Sequence, residues 1–317
     1  MSPANTLSSD ELLGENPDLK AALGKLAKYV SDTVAFGSKV FDWCLSATTG
    51  GGNPTLAQLV PLLFIRNALE RADAISILVG QSAIEPARIL QRSLLEIVFC
   101  VSYMLQQDTA DRTAAYVVTK THQELKEIDR MDASTQQGKQ FRSKFGNDIF
   151  LDQMLLSQPS NLQSMRTDRV SRLALPAYAK AEAEYQRLIS SGRKSPAWHS
   201  FFSGPPTVEQ IALTIDMPGL YELWYRGWSQ DVHASNAFSG LHRAADGTMH
   251  VLRFRVPTDA ESTTSETLSL LLYLFQVAVQ EYDSGKEGEY VDWYVNNMHQ
   301  PYREVSSGNP IIRLQDV

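Results

Sequence analysis

Between residues 221 and 235 the chain reads YELWYRGWSQDVHAS, which sets an arginine, a serine and a histidine among four large aromatics. On an α-helix Glu222, Arg226, Ser229, His233 and Asn236 fall at alternating steps of four and three and form one continuous polar stripe. Tyr221, Trp224, Tyr225, Trp228 and Val232 cover the adjoining faces. Arg226 and His233 stand two helical turns apart, about 10 Å along the axis, a span an arginine side chain can lean across. Metal-free RNA cleavage needs a histidine to move a proton and a cation to stabilise the charged phosphorane. His233 is therefore the candidate general acid or base, Arg226 the phosphate clamp, and Ser229 or Asn236 the orienting group.

A second constellation lies upstream in PARILQRSLLEIVFCVSYMLQ, residues 86–106. Arg92 and Glu96 are four apart and share one helix face, and Glu96 is the only charged residue between Ser93 and Leu105. A carboxylate in such surroundings must be paired, because desolvating it alone costs several kcal/mol. Arg92, Arg88, Arg66 or Arg71 can supply the partner. Two readings stand side by side: an internal salt-bridge network that sets the register of a helical hairpin, or a carboxyl with a raised pKa that works as an acid or base in a cleft.

The elements that must position these groups are helical. Apolar periodicity predicts a first helix from Asp18 to Ser46, ended by TTGGGNP, and a second that opens on Asn53-Pro54 as N-cap and first helical residue, kinks at Pro61 and runs to Gly80. Ser82 and Glu85 have capping-box spacing and open a third helix, packed antiparallel on the second. Thr109 to Met131 forms a fourth. Residues 132–190 read as an irregular helical excursion carrying the basic RTDRVSR and a helix from Ala177 to Ile189. Helices follow at Thr207–Ile215, Leu220–Ser235, Ser265–Tyr282 and Glu287–Met298. Only residues 241–257 depart from the helical period, where an Asp-Gly turn predicts a small β-hairpin. The expected fold is an all-α bundle of long antiparallel helices forming one domain over 1–317. Its parts are an N-terminal helix (1–50), a hairpin plus a third helix (55–131), the excursion (132–190), and the motif helix, hairpin and C-terminal helices (191–317).

Two motifs carry a resemblance. Arg92, Ser93, Leu94 and Glu96 in one helix, then AWHSFF, then Tyr221, Tyr225, Ser229, His233 and Ser235 in another are similar to the bacterial domain-of-unknown-function family 5677, over roughly Leu59 to Asp283. The resemblance implies an all-helical fold in which the two motif helices approach, bringing Arg92 and Glu96 near Ser229 and His233. It carries no activity with it. Arg226 and His233 also resemble the Arg-x(4–6)-His motif of the HEPN ribonucleases, helical-bundle proteins whose active site forms across a homodimer and which act in toxin and phage-defence systems. Arg193 with His199 and Arg243 with His250 match the same pattern, and Gly227 stands where those enzymes usually have a polar residue.

Other chemistry is set aside by what the chain lacks. No HxxxH or HExxH spacing joins its six histidines, no GxSxG or GxGxxG occurs, and TTGGGNP lacks the Lys-Ser or Lys-Thr of a phosphate cradle. Neither a metal nor an organic cofactor is expected. A net charge of -7 argues against a protein that coats nucleic acid, so RNA contact has to be local. The N-terminal residues show no basic start before an apolar run, and the longest apolar stretches, Ser93–Leu105 and Leu268–Val279, fall short of the ~20 residues of a membrane span. A cytoplasmic location follows, with Cys44 and Cys100 as buried free thiols and self-association through the aromatic helix face. Two functions fit: a metal-independent ribonuclease of toxin or defence type acting on RNA as a homo-oligomer, or a non-catalytic interaction or sensor module held by an Arg92, Glu96, Ser229 and His233 network. No protein partner is named by these residues.

Overall fold

The computed structural model describes residues 16–49, 53–146, 148, 150, 161–232, 241–243, 246–251, 254–282, 285–307 and 311–312. In chain order the helices are α1 (Pro17–Thr49), α2 (Leu56–Gly80), α3 (Ile84–Gln106), α4 (Thr109–Met131), α5 (Gln136–Phe145), α6 (Leu162–Leu173), α7 (Ala179–Ser190) and α8 (Val208–Thr214). They continue through α9 (Arg226–Val232), α10 (Ala260–Glu281), α11 (Glu287–Trp293) and α12 (His299–Ser306). A one-turn helix Pro218–Leu220 and a π-helix Tyr221–Tyr225 lead into α9, and a second π-helix, Tyr294–Met298, joins α11 to α12. The protein is all-α. Its two three-residue strands, β1 (Leu241–Arg243) and β2 (Met249–Val251), pair antiparallel across Asp246-Gly247 and add no sheet layer to the helices.

By its contacts the chain divides into two compact units, Met1–Gln106 with Val208–Val317, and Gln107–Thr207. In the first, α1, α2, α3 and α10 pack on one another around Leu23, Leu26, Ile65, Ile75, Leu94 and Phe275, all fully buried. Gly37 marks the closest approach of α1 to this core: a Cβ there would stand 2.4 Å from both Leu69 Cδ2 and Phe275 Cζ. Phe36, beside it, stacks on Trp293 with ring centroids 3.8 Å apart and so carries α11 onto α1. Helix α3 is 23 residues long and apolar enough to cross a membrane on length and composition, but 67% of its apolar window is buried inside the protein. Cys44 and Cys100 are free and buried, and burial pushes both thiols up to about 12.

In the second unit α4 is the spine on which α6 and α7 pack. The basic segment RTDRVSR is clipped to carboxylates: Arg166 to Asp129 at 3.1 Å, Arg169 to Glu124 at 2.9 Å, and Arg172 to Glu124 at 3.6 Å. His122 Nε2 meets Glu182 at 2.8 Å while its ring stacks on Tyr185.

Several boundaries differ from the sequence expectation for local reasons. Helix α2 is capped by Thr55, not Asn53. Thr55 Oγ1 accepts from Gln58 N at 3.3 Å and Gln58 Oε1 accepts from Thr55 N at 2.9 Å, a reciprocal capping box that moves the start past Pro54. Pro61 lies inside α2. Ser82 does not cap α3 either. It takes φ 55°, with Ala83 N donating to Leu78 O at 2.8 Å, which makes Ser82 the left-handed residue that ends α2 and starts the reversal.

Helix α10 begins five residues before the expected Ser265. Its first turns are threonine-rich, and Thr264 and Thr267 return their hydroxyls to the carbonyls of Ala260 and Thr263, so polar residues pass into the core.

The left-handed Ser82 generates a prediction. Its hydroxyl is buried and has no hydrogen-bond partner among the described residues, and its backbone conformation suits glycine. Ser82→Gly is expected to raise stability by about 1 kcal/mol, read as a higher urea midpoint with unchanged slope. A lower midpoint would show that the side chain stabilises the reversal.

Candidate functional site

Helix α3 presents Arg92 and Glu96 on successive turns to the segment that enters α9. There Arg92 Nε donates to Ser229 Oγ at 2.9 Å and Arg92 Nη2 donates to Tyr225 OH at 2.7 Å. The guanidinium also lies 4.3 Å from the centre of the Tyr225 ring, and Arg92 Nη1 stands 3.5 Å from Glu96 Oε2. The chain of donors closes on itself: Ser229 Oγ donates to the Tyr225 carbonyl at 2.5 Å, and Tyr225 OH is aimed at Glu96 Oε2 at 3.5 Å. Arg92 is 18% exposed and Glu96 41%, so the network is covered on the arginine side and open to water at the carboxylate.

Tyr225 is the hub; the sequence expectation placed it in the family motif and on a covering face but not among the site residues. Its hydroxyl is pushed up to about 12, first by burial and then by the Glu96 charge, so it stays protonated and keeps its donor for Glu96. Tyr221 stacks on it at 5.0 Å. The π-helix makes this possible: Arg226 N reaches back five residues to Tyr221 O, one residue more than an α-turn holds. The signal available in sequence was the Tyr221, Tyr225, Ser229 spacing itself, read with tyrosine as a polar group.

Arg92, Glu96 and Ser229 are thus brought together. Arg226 is not among them: its guanidinium turns back to Glu222 at 3.1 Å, with the arginine side chain 59% exposed. The expected continuous stripe is therefore split, Glu222 and Arg226 on the solvent side and Tyr225 and Ser229 against α3. His233, Ser235 and Asn236 lie outside the described residues, as do the side chains of His242 and His250. The other arginines proposed for Glu96 are engaged elsewhere, Arg66 with Glu70, Arg88 with Asp259, and Arg71 Nε with Ser93 Oγ at 2.7 Å. That last bond spans α2 and α3, so Ser93 and Arg92, neighbours in the motif, tie α3 to two different elements. His199 Nδ1 is engaged with the Pro205 carbonyl at 2.6 Å. Among the described residues no group of three or more His, Cys, Asp or Glu is placed to hold a metal ion.

A second polar cluster, on the α10 side of α3, had no counterpart in the sequence expectation. Gln91 is fully buried and its Nε2 lies 2.8 Å from Thr263 O, 3.2 Å from Thr267 Oγ1 and 3.4 Å from Glu266 Oε2. Gln91 Oε1, Thr263 Oγ1 and Arg88 Nε are buried without a hydrogen-bond partner. Burial raises the Glu266 carboxyl to about 7, against the opposing pull of Arg88 and the Gln91 amide.

With the fold and both clusters described, the chain falls in the class of all-α proteins whose polar motif joins two helices. Residues 58–249 match DUF5677, a family of unknown function, and since this is more than half of the chain, the protein belongs to that family. No curated protein and no solved structure matches it. The matched stretch contains every described member of the Arg92 network.

Two predictions follow from the geometry. Tyr225→Phe keeps the ring under the guanidinium but removes the hydroxyl that joins Arg92 to Glu96, and should cost about 1–2 kcal/mol in chemical denaturation. Arg92→Lys should cost at least as much, because an ammonium cannot reproduce the fork that reaches Ser229 and Tyr225 together; wild-type midpoints for both variants would show that the network fastens nothing.

For Glu266, the folded state holds a proton between about pH 4.5 and about pH 7 that the unfolded state has released. The penalty of burying the carboxylate is therefore absent at the low end of that window and grows as pH rises through it. Glu266→Gln should melt above wild type at pH 8 by roughly 2–4 °C, the response of a unit this size to about 1 kcal/mol, and lose that advantage at pH 4.5. An offset equal at both pH values would refute the assignment.

Proposed function

We propose that the protein is a non-catalytic interaction or sensor module whose Arg92, Glu96, Tyr225 and Ser229 network fastens the motif helix to the hairpin of α2 and α3. The observation that carries this reading is the closure of the network. The Arg92 guanidinium has Ser229, Tyr225 and Glu96 as partners, and the Ser229 and Tyr225 hydroxyls are engaged in turn. A reaction centre needs a donor or base aimed at space that a substrate can occupy. In this network the guanidinium and both hydroxyls are aimed at other members, and Glu96 alone is open to water.

A second reading rests on a separate observation. Arg226 is largely exposed, and among the described residues its ion pair is an i, i+4 pair on the surface, a weak, solvent-screened contact that a phosphate can displace. With His233 seven residues further along the sequence, this supports a metal-independent ribonuclease of toxin or defence type, acting on RNA as a homo-oligomer in the cytoplasm. The module reading ranks first because it uses the described contacts directly.

One experiment separates the two. Growth and total RNA integrity are followed in cells expressing the wild type, His233→Ala and Arg226→Ala, each checked for folding by circular dichroism. The module reading expects intact RNA and equal growth in all three. RNA fragmentation by the wild type that disappears in both folded variants would replace it with the nuclease.

A further inference from the structure

A cleft of about 460 Å³ lies between α10 and the C-terminal segment formed by α11, the second π-helix and α12. Four tyrosines, Tyr273, Tyr290, Tyr294 and Tyr302, contribute to its wall, over an apolar floor that includes Leu272 and Val279. Among its lining residues Glu287 is the only one with a charged side chain, and no lysine or arginine takes part. All four tyrosines line the cleft and are half-buried.

Two of the rings are pinned. Tyr290 OH donates to the Leu272 carbonyl at 2.9 Å and its ring stacks against Phe36 and Trp293, while Tyr302 OH and Ser269 Oγ share a hydrogen bond of 2.9 Å. Among the described residues the hydroxyls of Tyr273 and Tyr294 have no hydrogen-bond partner. Lys286, next to Glu287 in sequence, pairs with Glu289 and lies over the Trp43 ring, and among the described residues Glu287 has no ion pair. The π-turn opens with Tyr294, and such turns gather at functional sites.

A volume in the range of small-molecule sites, a wall rich in tyrosine and a single carboxylate select one ligand chemistry. Aromatic faces carry negative charge density and attract cations, and a lone carboxylate at the rim adds to the same field. We propose that this cleft binds a small organic cation, an amine or quaternary ammonium, between the tyrosine rings and Glu287. The site lies outside residues 58–249 and is independent of the Arg92 network, so its failure would leave the proposed function standing.

The test uses the full chain and defined probes. Benzyltrimethylammonium is compared with phenylacetate, an anion of similar size, and choline with its uncharged isostere 3,3-dimethylbutan-1-ol, by calorimetry or by ring-proton NMR. The cations should bind saturably, phenylacetate should not, and the isostere should bind about tenfold more weakly than choline. Glu287→Gln and Tyr294→Leu, the latter keeping bulk but no aromatic face, should each weaken cation binding about three- to tenfold with the melting curve unchanged. The proposal is overturned if neither cation binds below about 10 mM, a weak limit even for ligands this small. It is equally overturned if the isostere binds as well as choline, or if both folded variants bind like the wild type.

Discussion

An arginine cannot shed its proton, and that constraint organises the motif region. The Arg92 guanidinium is carried into a largely covered junction by a helix that is otherwise apolar from Ser93 to Leu105 apart from Glu96. Leaving it unpaired would cost several kcal/mol, so the structure has to bring acceptors to it. Ser229 Oγ, Tyr225 OH and the Glu96 carboxylate are those acceptors, and two of the three come from the other motif helix. The position of that helix on α3 is therefore set by a charge, with Phe99 and Tyr225 rings 6.4 Å apart supplying apolar contact beside it. The same logic extends to the hairpin, where Arg71 of α2 finds Ser93.

The π-helix reconciles this charge with the aromatic stripe. The π-turn spans Tyr221–Tyr225, where the two tyrosine rings stack, and Arg226 and Ser229 follow it in the regular helix α9, one paired with Glu222 and the other with Arg92. Arg226 is left to its own Glu222 in water, where the pair contributes little. Burial and the Glu96 charge raise the Tyr225 hydroxyl to about 12, so it remains a donor well above the neutral range.

Much of this was legible in the sequence where the signal is strong and local. The fourth helix was expected at Thr109–Met131 and α4 occupies those residues, because its apolar and polar faces alternate with the helical period. The approach of Arg92 and Glu96 to Ser229 was expected from the resemblance. What could not be read has a common cause, an interaction whose partner is distant or whose residue plays against type. Thr55 was hidden behind the more familiar Asn-Pro start. Ser82 stands where glycine is usual. Thr263, Thr264 and Thr267 enter the core because Thr264 and Thr267 bond back to their own helix and the Thr263 carbonyl meets Gln91. Tyr225 was placed in the motif and on a covering face without a role for its hydroxyl, and Arg226 was joined to a stripe from which it turns away to Glu222. The residues around His233 lie outside the described part of the chain, so the proposed pairing of Arg226 with His233 stands as spacing alone.

Both π-helices of the first unit begin with a tyrosine, and in both an aromatic ring stands beside a polar requirement. At Tyr221–Tyr225 the requirement is met from within, by Arg92, whose guanidinium lies over the Tyr225 ring. Beside Tyr294–Met298, tyrosines line a cleft with a carboxylate and no cationic side chain among its lining residues. The comparison turns the first arrangement into a guide to the second. Where the chain supplies its own cation, the cluster closes and becomes a fastener. Where it supplies only the rings and the negative charge, the complementary piece has to come from outside. Widening a helical turn weakens its hydrogen bonding, so a π-turn persists only where surrounding contacts favour it. In the first case those contacts are on α3, and in the second the pinned rings of Tyr290 and Tyr302 hold the wall that a cationic ligand would complete.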